Sequence, residues 1–211
     1  MTDLAAAPRV GRPKDSAKRE AIIAAARSLF ASQPFDAVTM EAVAAQAGVS
    51  KMTVYSHFHD KDSLFETIVA ATVDQMIGAL SAADLGEDLC ERLNAVGISL
   101  LGMVLGSDMC RMKHTLPAAL RPNRQLAERF YAAGPGRIRA ALAAMIDVAA
   151  ARGELEVDDA DLAADDLVSL WEGSMPAKIA FGLAGLSTPE EIRHRALRGT
   201  QVFLRAYRVP G

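Results

Sequence analysis

The stretch TMEAVAAQAGVSKMTVYSHF, which begins at Thr39, constrains the fold more than any other part of the sequence. Thr39 and Ser50 are residue types that cap the start of helices. Gly48 lies between them, and glycine is favoured immediately after the last turn of a helix. The pattern therefore predicts two short helices, over 40–47 and 51–57, joined by a turn of about three residues. Such a unit is a helix-turn-helix.

The rest of the chain favours a wholly helical fold. Aromatic residues make up only 5% of the sequence and alanine is abundant. Alanine is the best helix former, whereas strands prefer β-branched and aromatic residues. Apolar residues recur at helical spacing between Gly and Pro breaks. Further helices are predicted over 16–32, 61–82, 87–106, 109–115, 123–132, 136–152, 159–183 and 189–208.

Composition also bears on where such a chain would work. No apolar run approaches the roughly 18 residues that span a bilayer, and the first residues do not resemble a secretory signal. Cys90 and Cys110 lie in apolar helical context. Their simplest interpretation is two buried thiols in a reduced protein, with a disulfide or redox switch as the less favoured alternative. We therefore expect a cytoplasmic protein without membrane contact.

Charge is distributed unevenly along the sequence. Residues 1–61 carry eight Lys and Arg against six Asp and Glu, whereas residues 62–211 carry fifteen against twenty. A positive head on an acidic body indicates an anionic partner for the head. Residues 1–15 contain Gly11, two prolines and three basic residues, and we predict that they form a flexible basic arm.

The second short helix has two different faces. At 100° per residue, Val54 and Phe58 point inward, whereas Met52 and Ser56 point outward. A helix in the major groove reads base edges while its flanks contact phosphates, and this chemistry needs hydrogen-bond donors rather than a general acid or base. A solvated polar face is the alternative, but the caps, the turn and the basic arm favour DNA. The candidate DNA-binding residues are Thr39, Ser50, Lys51, Met52, Thr53, Tyr55, Ser56, His57 and Lys61, with Arg12 and Lys14 of the arm.

The stretch TMEAVAAQAGVSKMTVYSHFHDKDSLF closely resembles the helix-turn-helix of the tetracycline-repressor (TetR) family of regulators. One departure is Val43, where isoleucine is more usual. The resemblance covers about the first third of the chain, and the later helices are loosely similar to an AefR-like subgroup. It implies a three-helix DNA-binding domain over 16–60, followed over 61–211 by a helical ligand-binding and dimerisation domain. It also implies phosphate contacts by Thr39, Thr53, Tyr55, His57 and Lys61, and base or groove contacts by Lys51, Met52 and Ser56, with Tyr55 able to serve either role.

The C-terminal two thirds contain methionine and aromatic residues that could line an apolar cavity. Methionine adapts to irregular ligands, although each such residue could equally belong to an ordinary core. A helical body beneath a DNA-binding head favours a ligand site. The candidate ligand-binding residues are Leu100, Met103, Met109, Met112, His114, Phe130, Trp171 and Met175.

Other groups of reactive residues do not form a recognisable site. Cys110 and His114 have a spacing that suits two metal ligands, but no second pair follows. The aspartates between 158 and 166 lack the glycine and final glutamate of a calcium loop. Ser174 lacks the flanking residues of a nucleophile elbow. We therefore expect no catalytic residues, no metal and no cofactor.

These patterns together predict an all-α transcriptional regulator rather than an enzyme. The expected protein is a repressor that binds a palindromic operator in double-stranded DNA as a homodimer and is released by a small-molecule effector. The last two long helices, 159–183 and 189–208, carry enough apolar residues to form the dimer interface. The alternative is an architectural or protein-interaction factor that uses the same head without a ligand.

Overall fold

The computed structural model of the chain describes residues 13–82, 88–106 and 120–209. Extended pairing within these ranges is limited to one bridge between Leu155 and Arg208. The all-α class is therefore confirmed. A short 3-10 turn occupies Phe35–Ala37. The helices are α1 Pro13–Ser32, α2 Met40–Ala47, α3 Lys51–His57, α4 Lys61–Ala82, α5 Leu89–Leu105, α6 Arg124–Ala133, α7 Pro135–Ala151, α8 Ala160–Glu172, α9 Met175–Ala180 and α10 Pro189–Tyr207.

The caps predicted for the helix-turn-helix are present. Thr39 Oγ1 accepts a hydrogen bond from Ala42 N at 3.1 Å, and Ser50 Oγ accepts one from Thr53 N at 3.1 Å. Gly48 has φ 65° and ψ 30°, the left-handed conformation that glycine adopts without strain. As a result, α2 and α3 have the bounds that the sequence predicted.

Three predicted helices differ from the structure or lie beyond it. The first helix begins at Pro13, because proline is tolerated in a first turn, so residues 13–15 of the expected arm are helical. The predicted helix 159–183 is divided into α8 and α9 at Gly173, whose φ of 54° and ψ of −135° interrupt the helix. The predicted helix 109–115 and residues 1–12 of the arm lie outside the described residues.

Helix α4 connects two hydrophobic cores. Its first half, including Leu64 and Phe65, packs in the N-terminal core formed with α1, α2 and α3. Its second half, including Val73 and Met76, packs in the larger C-terminal core. A displacement of α4 would therefore move side chains in both cores, since protein interiors are close-packed.

A buried tryptophan joins three helices of the C-terminal core. Trp171 of α8 is fully buried, and its Nε1 donates a hydrogen bond to Thr200 Oγ1 of α10 at 3.1 Å. A methyl group added at Gly97 of α5 or at Gly199 of α10 would lie 2.7 or 2.5 Å from the indole ring. The two glycines therefore allow the backbones to approach the ring. Across the described ranges, no helix combines the length and the apolar character needed to cross a membrane.

Candidate DNA-binding surface and regulatory cavity

Helix α3 presents the two faces that its sequence predicted. Val54 is fully buried in the N-terminal core, and Phe58 is buried just after the helix ends. On the opposite face, Met52 is 80% exposed and Tyr55 is 44% exposed. Ser56 is exposed beside them. A large apolar side chain this exposed on a short helix is available for contact with a partner.

Lys51 begins α3 and forms an ion pair with Glu41 in the first turn of α2. Its ammonium also lies 5.7 Å from the centre of the Tyr55 ring. The hydrogen bond between the two side chains lowers the pKa of Glu41 and raises the pKa of Lys51. The cation therefore lies beside the outward face of α3, where it is paired with Glu41.

The hydroxyl groups of this surface are partly engaged in local hydrogen bonds. Ser50 Oγ lies 2.9 Å from Thr53 Oγ1, and Ser56 Oγ donates to the backbone oxygen of Thr53 at 2.8 Å. Thr39 and Ser50 are exposed at the N-termini of their helices, and Thr53 is half-buried. Ser50, Thr53 and Ser56 are thus joined by local hydrogen bonds along α3, whereas Thr39 caps α2 separately.

His57 is less exposed than the sequence suggested. Its side chain is 12% exposed, and Nε2 lies 3.1 Å from a carboxylate oxygen of Asp15 in α1, without the geometry of a hydrogen bond. The imidazole is therefore turned toward α1.

Lys61 is likewise directed partly inward. Its Nζ donates a hydrogen bond to the backbone oxygen of Phe35 at 3.0 Å and lies 4.4 Å from the centre of the Phe35 ring. The preceding residue, Asp60, accepts a hydrogen bond from Ser63 N at 2.7 Å. That backbone hydrogen bond lowers the pKa of Asp60. The start of α4 is thus fixed both to the 3-10 turn and by its own cap.

The basic residues predicted for the arm cannot be placed on this surface. Arg12 lies outside the described residues. Lys14 belongs to the first turn of α1, and its side chain is also outside the description.

A cavity of about 510 Å³ lies within the body, walled by α4, α5, α6, α7 and α8. Its apolar wall consists of Val69, Val73, Leu100, Met103, Val104, Leu120, Phe130, Pro135, Ile138 and Val168. One edge is polar, because Asp165, Ser169 and Glu172 follow one face of α8 at helical spacing. Cavities of this size and character hold small organic molecules with an apolar body and a few polar groups.

Arg139 closes the polar edge by linking α7 to α8. Its Nε donates to Asp165 at 2.7 Å and its Nη1 donates to Asp161 at 3.1 Å. The hydrogen bond to Asp165 raises the pKa of Arg139 further. Asp165 lines the cavity but Asp161 does not, so only one of the two carboxylates belongs to the cavity wall.

The structure separates the candidate ligand-binding residues into three groups. Leu100, Met103 and Phe130 line the cavity. Trp171 and Met175 do not line it: both side chains are buried in the C-terminal core, and the indole N–H is already bonded within that core. Met109, Met112 and His114 lie outside the described residues.

Sequence reasoning missed the polar edge of the cavity. The i, i+4 spacing of Asp161 and Asp165 placed two carboxylates on one helix face, but nothing in the sequence indicated that Arg139 would meet them.

In the described part of the chain, no three His, Cys, Asp or Glu side chains come together in a way that could hold a metal ion.

A capped helix-turn-helix on a helical body with a cavity is typical of DNA-binding transcriptional regulators. Residues 91–209, more than half of the chain, match the family described as "AefR-like transcriptional repressor, C-terminal domain". Residues 22–68 match "Bacterial regulatory proteins, tetR family". The chain belongs to the TetR family of transcriptional regulators, which bind DNA and are not enzymes.

Solved structures resemble the chain over nearly its whole length. A TetR-family regulator from Mesorhizobium loti MAFF303099 is 25% identical with a TM-score of 0.80, and the match covers 94% of this chain and 100% of that one. The Flavonoid-responsive Regulator FrrA is 31% identical with a TM-score of 0.71, covering 93% of this chain and 100% of its own.

Two further relatives match over about a third of this chain each. The HTH-type transcriptional repressor Rv1474c of Mycobacterium tuberculosis is 30% identical over 78 residues, which are 37% of this chain and 42% of that protein. YdeS of Bacillus subtilis, an uncharacterized HTH-type transcriptional regulator, is 34% identical over 67 residues, which are 31% of this chain and 34% of YdeS. The chain thus matches less than half of the length of either protein.

Proposed function

We propose that the protein is a cytoplasmic repressor that binds a palindromic operator as a homodimer and dissociates when a small molecule fills the cavity. The observation that carries this proposal is that α4 supplies both a wall of the cavity and part of the core beneath the helix-turn-helix. Val69 and Thr72 line the cavity, whereas Leu64 and Phe65 pack one to two turns earlier in the N-terminal core.

The outward face of α3 supports the DNA contacts. Base or groove contacts are assigned to Lys51, Met52 and Ser56, since these side chains are exposed and lie on the first turns of the helix. Phosphate contacts are assigned to Thr39, Ser50, Thr53, Tyr55, His57 and Lys61, and further contacts with DNA to Arg12 and Lys14. His57 and Lys61 must turn outward from their contacts with Asp15 and Phe35 to reach DNA.

Exposed apolar side chains support the homodimer. Leu162 of α8 is 60% exposed and Leu197 of α10 is 44% exposed. The segment that joins α9 to α10 adds Phe181, Leu183 and Leu186, at 79%, 77% and 50% exposure. Pairing α8 and α10 with their copies would form a four-helix interface. It would also place the two copies of α3 about one helical turn of DNA apart, at a separation of roughly 34–36 Å.

The cavity supports an uncharged aromatic effector that carries hydroxyl groups. Its apolar wall suits a flat ring system, and the edge at Asp165, Ser169 and Glu172 offers acceptors for hydroxyl donors. A carboxylate on the ligand would meet Arg139 only in competition with Asp161 and Asp165. FrrA, which matches this chain over its length, is named as flavonoid-responsive. A flavonoid-like polyphenol is therefore the effector class that we propose.

Release from DNA requires that the ligand bind more tightly to one state of the dimer than to the other. The preferred state must be the one in which the spacing between the two helix-turn-helix units does not fit the operator. A second contact joins α1 to the cavity wall, since Arg27 Nη2 donates to Thr72 Oγ1 at 3.4 Å. A ligand that displaces Thr72 and Val69 would therefore act on both α4 and α1. A hundredfold difference in affinity between the two states corresponds to about 2.7 kcal/mol of coupling.

The test starts from an operator selected from random DNA by the purified protein. Apigenin, a hydroxylated flavone, is titrated against the free protein and against the protein–operator complex, with unsubstituted flavone as the matched ligand. We expect apigenin to bind more tightly than flavone and to weaken operator binding by about fivefold to 150-fold. A protein that selects no palindrome would be an architectural binder. One that selects a palindrome but does not respond to apigenin would need another effector class.

A further inference from the structure

A line of aromatic rings in contact runs from the cavity wall to the 3-10 turn beside the start of α4. Its first member is Phe130 of α6, which lines the cavity and is only partly buried. The Phe130 ring stacks on Phe65 of α4 with a centroid distance of 5.6 Å and an interplanar angle of 17°. Phe65 is 1% exposed, so it lies entirely within the N-terminal core.

The second contact leads from α4 to the turn before the helix-turn-helix. The Phe65 ring meets Phe35 edge-on, at a centroid distance of 5.1 Å and an angle of 72°. Phe30 of α1 packs against both rings, at 4.9 Å from Phe65 and 5.6 Å from Phe35. Each ring is therefore confined on more than one side. Edge-to-face and offset pairs at these distances have preferred geometries that a small shift disturbs.

The line ends at the ammonium group of Lys61. Phe35 holds Lys61 through both its backbone oxygen and its ring face. A lysine so placed cannot give all its donors to a phosphate without leaving Phe35. The position of Phe35 therefore decides how freely Lys61 can turn toward DNA.

We propose that Phe130, Phe65 and Phe35 form a positioning column through which the contents of the cavity set the orientation of the Lys61 ammonium. The column rests on the proposed function, since it assumes a cavity ligand that weakens DNA binding. A ligand that presses on Phe130 displaces Phe65, because a close-packed interior has no free volume to absorb the movement. Phe65 then moves Phe35 and strengthens its hold on Lys61. This action is additional to any rigid displacement of α4.

The column is tested by measuring coupling rather than binding. The coupling factor is the operator Kd at saturating apigenin divided by the Kd without apigenin, determined by fluorescence anisotropy. The salt dependence of each Kd is measured at the same time, because it counts phosphate contacts. The variants are Phe65→Leu, Phe130→Leu and Lys61→Met. Phe203→Leu is the matched control, since Phe203 is a fully buried ring in the other core that stacks on Tyr207.

In the wild type, apigenin should raise the operator Kd by at least about fivefold and reduce the salt slope by roughly one contact per subunit. Phe65→Leu should still bind the operator and apigenin, but its coupling factor should fall below about a third of the wild-type value. Adding apigenin should not change the salt slope of this variant. Phe130→Leu, which changes only a partly buried ring at the margin of the N-terminal core, tests the column if Phe65→Leu does not fold. Lys61→Met should abolish the change of slope, and Phe203→Leu should retain full coupling.

Two results would overturn the column while leaving the proposed function intact. One is full coupling in both Phe65→Leu and Phe130→Leu. The other is an equal loss of coupling in Phe203→Leu, because that would mean general softening of the fold. If apigenin does not affect operator binding by the wild type at all, the proposed effector class and the column both fail.

Discussion

Glu41 of α2 and Lys51 of α3 form an ion pair across the turn of the helix-turn-helix. The pair fixes the one basic side chain in the first turn of α3. It also places a carboxylate next to the surface proposed to contact DNA. Glu41 is therefore in a position to orient Lys51 and, at the same time, to repel phosphates when the base contacts are not formed.

Neutralising Glu41 should lower specificity rather than affinity. In Glu41→Gln, Lys51 is freed and the repulsion is removed, so binding to random DNA should tighten by about threefold to tenfold. The operator should gain less, because Lys51 is no longer held over its base. Anisotropy titrations with operator and scrambled DNA measure the ratio of the two affinities. An unchanged ratio would exclude an orienting role for Glu41.

Removing Lys51 should affect base preference at one position of each half-site. Lys51→Ala should cost roughly 1–3 kcal/mol against the preferred base and little against the others. Binding-site selection with the variant gives the comparison. A selected sequence identical to that of the wild type would contradict the base-reading role, whatever the change in overall affinity.

Removing Lys61 should weaken binding to all sequences alike. A phosphate contact carries no base information, and its loss should reduce the salt slope by about 0.9 per subunit. Lys61→Ala also removes the hydrogen bond to Phe35, so it should lower the free energy of unfolding by about 0.5–1.5 kcal/mol. Urea titration separates this loss from the loss of DNA binding. A normal salt slope in a folded Lys61→Ala protein would mean that Lys61 only joins α4 to the turn.

The local features of the helix-turn-helix could be predicted because they depend on neighbouring residues alone. Thr39, Gly48 and Ser50 determine caps and a turn regardless of the rest of the chain, and α2 and α3 accordingly have their predicted bounds. Contacts between distant helices are different. The inward orientation of His57 and Lys61 depends on Asp15 and Phe35, which only the packing of α1 and its following turn brings near.

The cavity illustrates the same limit. Helical periodicity identifies Leu100, Met103 and Trp171 as apolar side chains facing inward, but it does not distinguish a cavity wall from a filled core. The Trp171 ring lies in a filled core rather than in a cavity wall, because the backbones at Gly97 and Gly199 pack directly against it. Arg139 reaches the cavity because α7 and α8 pack side by side, which no local pattern encodes.

The stability of the protein in acid should depend on the N-terminal cap that Asp60 forms on α4. The hydrogen bond from Ser63 N lowers the pKa of Asp60 from its ordinary value of 3.8. The cap therefore contributes fully above that value, and its contribution is lost as the pH falls through the lower pKa of the folded state. Asp60→Ala should cost about 1 kcal/mol at neutral pH.

Asp60→Asn gives the matched control, because asparagine caps a helix without titrating. The difference in unfolding free energy between wild type and Asp60→Asn should change on going from neutral pH to about pH 3, in favour of the variant. Urea unfolding at both pH values measures it. A difference that does not vary with pH would mean that the carboxylate charge is not part of the cap.

Two glycines of α5 should respond oppositely to the same substitution. In Gly97→Ala the new methyl group lies 2.7 Å from the Trp171 ring, so the unfolding free energy should fall by about 1–3 kcal/mol. In Gly102→Ala it meets nothing within 4 Å, so the higher helix propensity of alanine should add about 0.5–1 kcal/mol. Thermal unfolding of both variants gives the comparison. Equal effects at the two sites would contradict the close approach of α5 to Trp171.

The division of α8 into a cavity face and a tryptophan face has a consequence for how such proteins diversify. Asp165 and Ser169 meet the cavity, whereas Leu167 and Trp171 anchor the frame. Under the proposed function, a substitution at Ser169 can alter which compound is bound, because this side chain lines the cavity while the tryptophan face and the Arg139–Asp165 pair hold α8 in place. Lineages that carry this arrangement can therefore acquire new chemical inputs by a few point mutations, and the same freedom makes α8 the first helix to randomise when building a biosensor.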